Sequence, residues 1–273
     1  MTAMADDLRS MRFADRVAVV PGSTAHPSIG LSCARRLGRE GASVVINGRD
    51  PVALSAAEQG LRAEGIDVAA VLGSMEDDTL PSRLVETAIA QFGRIDHLVN
   101  TIGGARFVGS FEQMRRAELI DTIDLNTWPA LALIQAALVG GLADGGGSVV
   151  NISSGSPRKT TPSMVAYAAG KAALNALTRT IAADLGPRGV RVNAVSPGLT
   201  KTTGTKAVWE SDGGHRAGAN LVLGRLTEAD DIAAAAAFLL SDDARQITGV
   251  VLDVDGGNHL SGGWSPFTSA TSS

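Results

Sequence analysis

Val17-Ala-Val-Val-Pro-Gly-Ser-Thr-Ala-His-Pro-Ser-Ile-Gly30 is the stretch on which the fold turns. Its first four residues are apolar and three are β-branched, which predicts a short buried strand. Pro21-Gly22 ends that strand, and a helix is expected to start near Ile29. A strand-turn-helix corner of this kind aims backbone N–H groups and the positive end of a helix dipole at one point, where a phosphate can sit. Gly22 permits the tight turn, Ser28 can donate to a phosphate, and Gly30 lets the helix pack closely on the strand. The spacing does not fit Gly-x-Gly-x-x-Gly, so this stretch alone reads equally well as an ordinary turn.

The rest of the chain resolves that ambiguity by repeating the unit. Short β-branched runs occur at Ser43–Asn47, Val68–Leu72, His97–Thr101, Ser148–Ile152, Val190–Val195 and Val250–Val254. Between them lie helix-period segments such as Ile29–Glu40, Pro51–Glu64 and Leu80–Phe92, long enough for the crossovers parallel strands require. The alternation predicts an α/β fold: one domain over residues 1–273, with a doubly wound, seven-stranded parallel sheet and helices on both faces. Leu199–Arg225 has weak periodicity and a Gly-rich patch at Asp212–His215, and reads as a mobile excursion beside a substrate site. Residues 1–14 and 261–273 read as terminal extensions, with Trp264 and Phe267 able to dock on a neighbour.

Composition narrows the function classes. A formal charge of −4 supplies no basic patch, so nucleic acid is not an expected partner. No run approaches the roughly 20 apolar residues that span a bilayer, so no membrane is expected. Cys33 is the single cysteine and falls in an apolar helical pattern, where a small buried side chain is expected. Asp6 and Asp7 stand where a signal peptide would be basic, and the expected compartment is the cytoplasm. His26, His97, His215 and His259 form no metal-ligand spacing, and no metal is expected.

The end of the second predicted strand reads Val44-Val-Ile-Asn-Gly-Arg49. An acid usually ends this strand in folds that prefer NAD, where it accepts from the ribose hydroxyls. Gly48 takes that place here and Arg49 follows, able to fork onto a 2′-phosphate, so NADP(H) is favoured over NAD(H). A solvated arginine in a turn, able to form a local ion pair with Asp50, is the competing reading.

Chemistry enters with Asn151-Ile-Ser-Ser-Gly155 and Tyr167-Ala-Ala-Gly-Lys171. Tyr167 lies thirteen residues beyond Ser154, and Lys171 four further shares its helix face. An ammonium beside a phenol favours the phenolate, so the expected Tyr167 pKa lies below the usual value of about 10. Tyr167 could then exchange a proton with a carbonyl oxygen while the Ser154 hydroxyl stabilises charge on it.

With these spacings the chain resembles the short-chain dehydrogenase/reductase family from about Val17 to Gly257. The resemblance implies a Rossmann-type fold and a catalytic tetrad of Asn126, Ser154, Tyr167 and Lys171. Asn126, in Asp124-Leu-Asn-Thr127, is similarly placed to the family asparagine that supports a water leading to the lysine. The family's Asn-Asn-Ala-Gly is altered to Asn100-Thr-Ile-Gly103, Ser196-Pro-Gly198 matches its Pro-Gly stretch, and Asp253–Gly257 resembles its closing strand and turn. Cofactor contacts implied by the resemblance are Gly22, Ser23, Ser28, Ile29, Gly30, Asn47, Arg49, Ser74, Met75, Asn100, Thr101, Ile102, Gly103, Tyr167, Lys171, Pro197, Gly198, Thr200 and Thr202. Ser74 replaces an adenine-contacting aspartate common in the family.

The glycine loop departs from the family pattern. It is two residues longer than usual, and Gly22 followed six positions later by Ser28-Ile29 is closer to the enoyl-reductase branch. That branch spaces its tyrosine and lysine seven apart and lacks the serine, whereas the spacing here is four. The expected reaction is therefore reversible hydride transfer between NADP(H) and a ketone, for which the resemblance suggests a 3-oxoacyl thioester, or the corresponding secondary alcohol. Enoyl-thioester reduction and a non-catalytic cofactor-sensing role are the alternatives. Small residues on several faces of the predicted helix Met164–Leu185, with the resemblance, imply a homotetramer or homodimer. Trp128 is expected to serve helix packing, and Trp209 to serve as a substrate lid, the alternative being an apolar anchor for Leu199–Arg225.

Overall fold

The computed structural model describes residues 11–159 and 161–260. The expectations for Trp264 and Phe267 fall outside them. Seven parallel strands form the main sheet: β1 Val17–Val20, β2 Ser43–Gly48, β3 Val68–Leu72, β4 His97–Asn100, β5 Ser148–Ile152, β6 Arg191–Pro197 and β9 Val251–Val254. Their spatial order is β3-β2-β1-β4-β5-β6-β9, so the winding reverses between β1 and β4. Ligands of doubly wound sheets bind at that reversal, beyond the carboxyl ends of the strands.

Strand alternation explains the two layers. On β1, Val17 and Val19 face one side, with α3 (Leu80–Phe92), α4 (Arg116–Val139) and α5 (Val165–Leu185). Ala18 and Val20 face the other, with α1 (Ile29–Arg39), α2 (Pro51–Ala63) and α8 (Ala229–Leu240). Burial on both faces is why these strands are runs of Val, Ile, Leu and Ala rather than alternating sequences. Cys33 is buried in the second layer, and burial pushes its thiol pKa up to about 12, so it is a packing residue.

The excursion over residues 199–225 is not irregular. It contains α6 (Lys206–Trp209) and α7 (Asp212–Ala219), and a two-stranded parallel pair, β7 (Thr200–Lys201) with β8 (Thr227–Glu228), brackets it. Ser211 caps α7 by accepting from Gly214 N–H at 3.1 Å. The sequence hid these helices because α6 is four residues long and α7 carries three glycines, which leave no apolar period to read. Trp128 is half-exposed and donates to Asp78 at 2.9 Å, tying α4 to the turn that precedes α3.

Candidate active site

The β1–α1 corner is built as a phosphate cradle. Gly22 has φ +71°, and a Cβ there would lie 2.9 Å from both Ile102 Cδ1 and Thr101 Oγ1. A Cβ on Gly30 would lie 2.4 Å from the Gly22 carbonyl oxygen. Both positions must be glycine, because the β4 loop packs directly on Gly22 and the first turn of α1 packs directly on the Gly22 backbone, which holds this strand-turn-helix corner in a tight form suited to a phosphate. Ser28 caps α1, its hydroxyl oxygen accepting from Leu31 N–H at 3.2 Å, so its proton is left for a phosphate oxygen. The Thr101 hydroxyl donates to the Pro21 carbonyl and thereby ties the β1 and β4 loops together at the reversal.

Other expected contacts divide by orientation. Ser23 is buried, with its hydroxyl on the Val20 carbonyl and its N–H on the Asn47 carbonyl; its side chain faces the strand rather than the cleft. Asn47 likewise spends its amide on the carbonyls of Val71 and Gly73, at 2.9 and 3.0 Å, and braces β2 to β3. Met75 packs into the core beneath α3, and Ser74 accepts from Glu76 N–H. Among the described residues Arg49 has no ion-pair or hydrogen-bond partner, and the expected alternative of a pair with Asp50 is not formed. Asp50 instead caps α2, accepting from the N–H groups of Val52 and Ala53. Thr24, Arg49, Asp50 and Pro51 line an open cavity at this corner. The cradle and this free guanidinium fit a dinucleotide.

The second half of the site gathers at the carboxyl end of β5. Ser153 N–H bonds the Val195 carbonyl at 2.7 Å and Gly155 N–H bonds the Pro197 carbonyl at 2.9 Å, fixing the loop that presents Ser154. The Ser153 hydroxyl donates to Asn175, while Asn100, Asn151 and Thr178 form a buried relay from β4 through β5 to α5. These bonds set the register of α5 against the sheet, and with it Tyr167 and Lys171. Within the relay Asn100 Oδ1 is buried without a partner among the described residues.

Lys171 is 3% exposed and donates to the Ile152 carbonyl at 2.8 Å, with its Nζ 5.9 Å from the Tyr167 ring centre. Burial lowers its pKa to about 8. Tyr167 departs from expectation: burial raises its pKa above the ordinary phenol value, and a hydrogen bond with Ser154 offsets this only in part. Desolvation of the phenolate sets the direction, and Ser154 is the group that opposes it.

Asn126 is buried on α4, and its amide clasps the backbone of Gly104, accepting from N–H at 3.1 Å and donating to the carbonyl at 2.7 Å. A third bond reaches the Thr122 carbonyl. Its side chain therefore positions the β4 loop, bringing Gly103 so close that a Cβ would lie 2.7 Å from Lys171 Nζ. Gly170 allows α4 and α5 to approach each other, since a Cβ there would lie 3.1 Å from Asn126 Cβ.

The opposite wall comes from the β6 side. Gly198 packs on Asp255, Thr200 is buried with its hydroxyl on the Gly198 carbonyl, and Thr202 bonds Thr205. Trp209 donates to the Thr202 carbonyl at 3.0 Å and so anchors α6 to this wall. Thr203, which the sequence reading did not single out, places both its N–H and its hydroxyl on the Pro27 carbonyl, at 2.9 and 3.1 Å. The two extra residues of the glycine loop thus have a structural partner in the substrate segment. Thr24 and Ser156 were also missed, both being small hydroxyl residues in loops with no periodicity to mark them.

Comparison with known proteins agrees with this geometry. A family model described as enoyl-(acyl carrier protein) reductase matches residues 22–259. The chain is 38% identical over 245 residues to an uncharacterized oxidoreductase of Methylorubrum extorquens, covering 89% of this chain and 97% of that one. It is 37% identical to human dehydrogenase/reductase SDR family member 4, covering 89% and 87%. A short-chain type dehydrogenase/reductase from Mycobacterium ulcerans superposes with a TM-score of 0.86 at 34% identity, covering 92% of each chain. With the sheet order, the cradle and these relatives in agreement, the chain belongs to the short-chain dehydrogenase/reductase family, oxidoreductases of CH–OH and C=O groups that use NAD(P).

Proposed function

We propose that the protein interconverts a ketone and a secondary alcohol with NADP(H). The observation that carries this reading is the meeting of Ser154, Tyr167 and buried Lys171 at one strand end, beside the glycine cradle. The nicotinamide, when bound, supplies or accepts the hydride. Gly22, Ser28, Gly30 and the loop from Thr101 to Gly103 would hold the cofactor, with Arg49 at its 2′-phosphate and Lys171 at its ribose.

In the reducing direction Tyr167 gives its proton to the carbonyl oxygen. A phenol is protonated at neutral pH, and the upward direction of its pKa preserves that state, which suits a donor. Ser154 donates a hydrogen bond to the same oxygen and stabilises the charge that develops there. Lys171 holds a positive charge under the ring, which limits the cost of the phenolate left behind.

Tyr167→Phe is expected to lower ketone reduction by about 10²–10⁴-fold with NADPH binding and melting temperature preserved. Undiminished reduction by the folded variant would remove Tyr167 from this role. For Arg49, the ratio of kcat/KM for NADPH over NADH is expected to exceed one and to collapse in Arg49→Ala.

A second reading, enoyl-thioester reduction, is favoured by the description of the matching family model and by the long glycine loop. Crotonyl and acetoacetyl thioesters separate the two, the acetoacetyl compound being the expected substrate. For assembly we propose a homotetramer or homodimer, supported by the small residues of α5; light scattering after size exclusion reads the mass.

A further inference from the structure

We infer that Ser156 is a positioning residue for Ser154, aiming its hydroxyl proton at the reacting oxygen. Two contacts carry the inference. Ser156 N–H donates to Ser154 Oγ at 3.2 Å, and the two hydroxyl oxygens lie 3.0 Å apart.

A serine hydroxyl has one proton and accepts through two lone pairs. The Ser156 amide fills one of them. When the Ser156 hydroxyl donates as well, it fills the second, and the only capacity left on Ser154 is its own O–H. That proton then has Tyr167 and the oxygen beside it as acceptors, the direction that reduction requires. Donation into Ser154 also polarises its O–H, because hydrogen bonds in a chain strengthen one another. The loop bonds from Ser153 and Gly155 to β6 hold both serines in this relation. Arg158 pairs with Asp253 and its N–H bonds the Gly155 carbonyl, so the turn carrying Ser156 is anchored at its far side too. The amide contribution belongs to the backbone and survives substitution; only the hydroxyl contribution depends on Ser156 being serine.

This assignment rests on the carbonyl-reduction reading, so its test has one arm with turnover and one without. With NADPH and a ketone, Ser156→Ala is expected to lower kcat about tenfold, leaving KM, cofactor affinity and melting temperature within twofold or a degree or two. Ser156→Thr, which keeps the hydroxyl, is expected to restore most of the rate. In a Ser154→Ala background the Ser156→Ala change is expected to cost nothing further. In the second arm, ¹³Cζ-tyrosine labelling gives one resonance, since Tyr167 is the only tyrosine. At neutral pH, without substrate, that resonance is expected to move in Ser156→Ala towards its position in Ser154→Ala, and to stay in place in Ser156→Thr. A Ser156→Ala protein with unchanged kcat and an unmoved resonance overturns the inference, as does a rate loss that persists undiminished without Ser154. If the wild type reduces no ketone, the proposed function fails and the resonance alone decides the role of Ser156.

Discussion

Gly48 bears on cofactor choice through the neighbour that keeps it a glycine. A Cβ at this position would lie 2.2 Å from Thr24 Cγ2, 3.0 Å from its hydroxyl and 3.2 Å from its Cβ. With the threonine methyl turned aside, its hydroxyl and Cβ would still have to give by a few tenths of an ångström, so Thr24 disfavours the acid that usually ends β2 in NAD-preferring folds. Gly48→Asp alone is therefore expected to lower the melting temperature without gaining NADH use. Combined with Thr24→Gly it is expected to raise kcat/KM for NADH; a gain from the single change would show that the loop yields freely. Lys171 gives a second prediction at this scale. Its pKa is lowered to about 8 by burial, so the ammonium is present below that pH and lost above it. Reduction is expected to decline as pH rises through 8, measured as kcat/KM, and the decline is expected to disappear in a folded Lys171→Arg variant, whose guanidinium keeps its charge.

At the scale of elements, the seven main strands were legible because burial on both faces forces β-branched runs, and their ends moved by no more than two residues. Strand β4 stops at Asn100 rather than Thr101, whose side chain bonds the Pro21 carbonyl at the turn beyond the strand. The two-residue strands β7 and β8 were not legible because, among the described residues, each pairs only with the other across the excursion, and the helices α6 and α7 were not because they are too short or too glycine-rich to carry an apolar period. Likewise the residues of the catalytic motif could be read but not the protonation of Tyr167, since its raised pKa comes from a burial that the motif does not encode. The junction of α4 and α5 shows how small a residue the arrangement tolerates. Gly170 faces backbone as well as side chain, with Ile123 Cα and the Thr122 carbonyl both 3.3 Å from a built Cβ. Gly170→Val is expected to destabilise the protein by ~1–3 kcal/mol in urea unfolding, and to reduce activity by moving Tyr167 and Lys171 relative to Asn126.

Over the whole molecule, titration matters most at the edge of the sheet opposite the chemistry. His97 is buried at the start of β4, with Nδ1 2.8 Å from Ser148 Oγ and its ring edge-on to Phe13. The Ser148 hydroxyl also bonds the Leu240 carbonyl, at 2.9 Å. Burial lowers the His97 pKa to about 4, with Asp96 opposing that shift and Arg16 and Arg191 adding to it. A histidine in the unfolded chain titrates near 6.5, so between pH 6.5 and 4 the unfolded state binds the additional proton. Stability from this group is present above 6.5 and is lost as pH falls towards 4. Urea midpoints are expected to drop between pH 7 and 5 in the wild type, and to drop less in His97→Gln.

Asp96 stands beside it, bonded to Arg16, Arg94 and Val17 N–H, and Arg191 donates to carbonyls at the end of α8. These ties lie at the amino ends of the strands, whereas every residue assigned to catalysis or cofactor lies at or beyond the carboxyl ends. The sheet thus separates two kinds of evolutionary change. Foundations at one rim can be reinforced or weakened without redesigning the reaction, and the loops at the other rim can acquire new substrates while the scaffold beneath them keeps its shape.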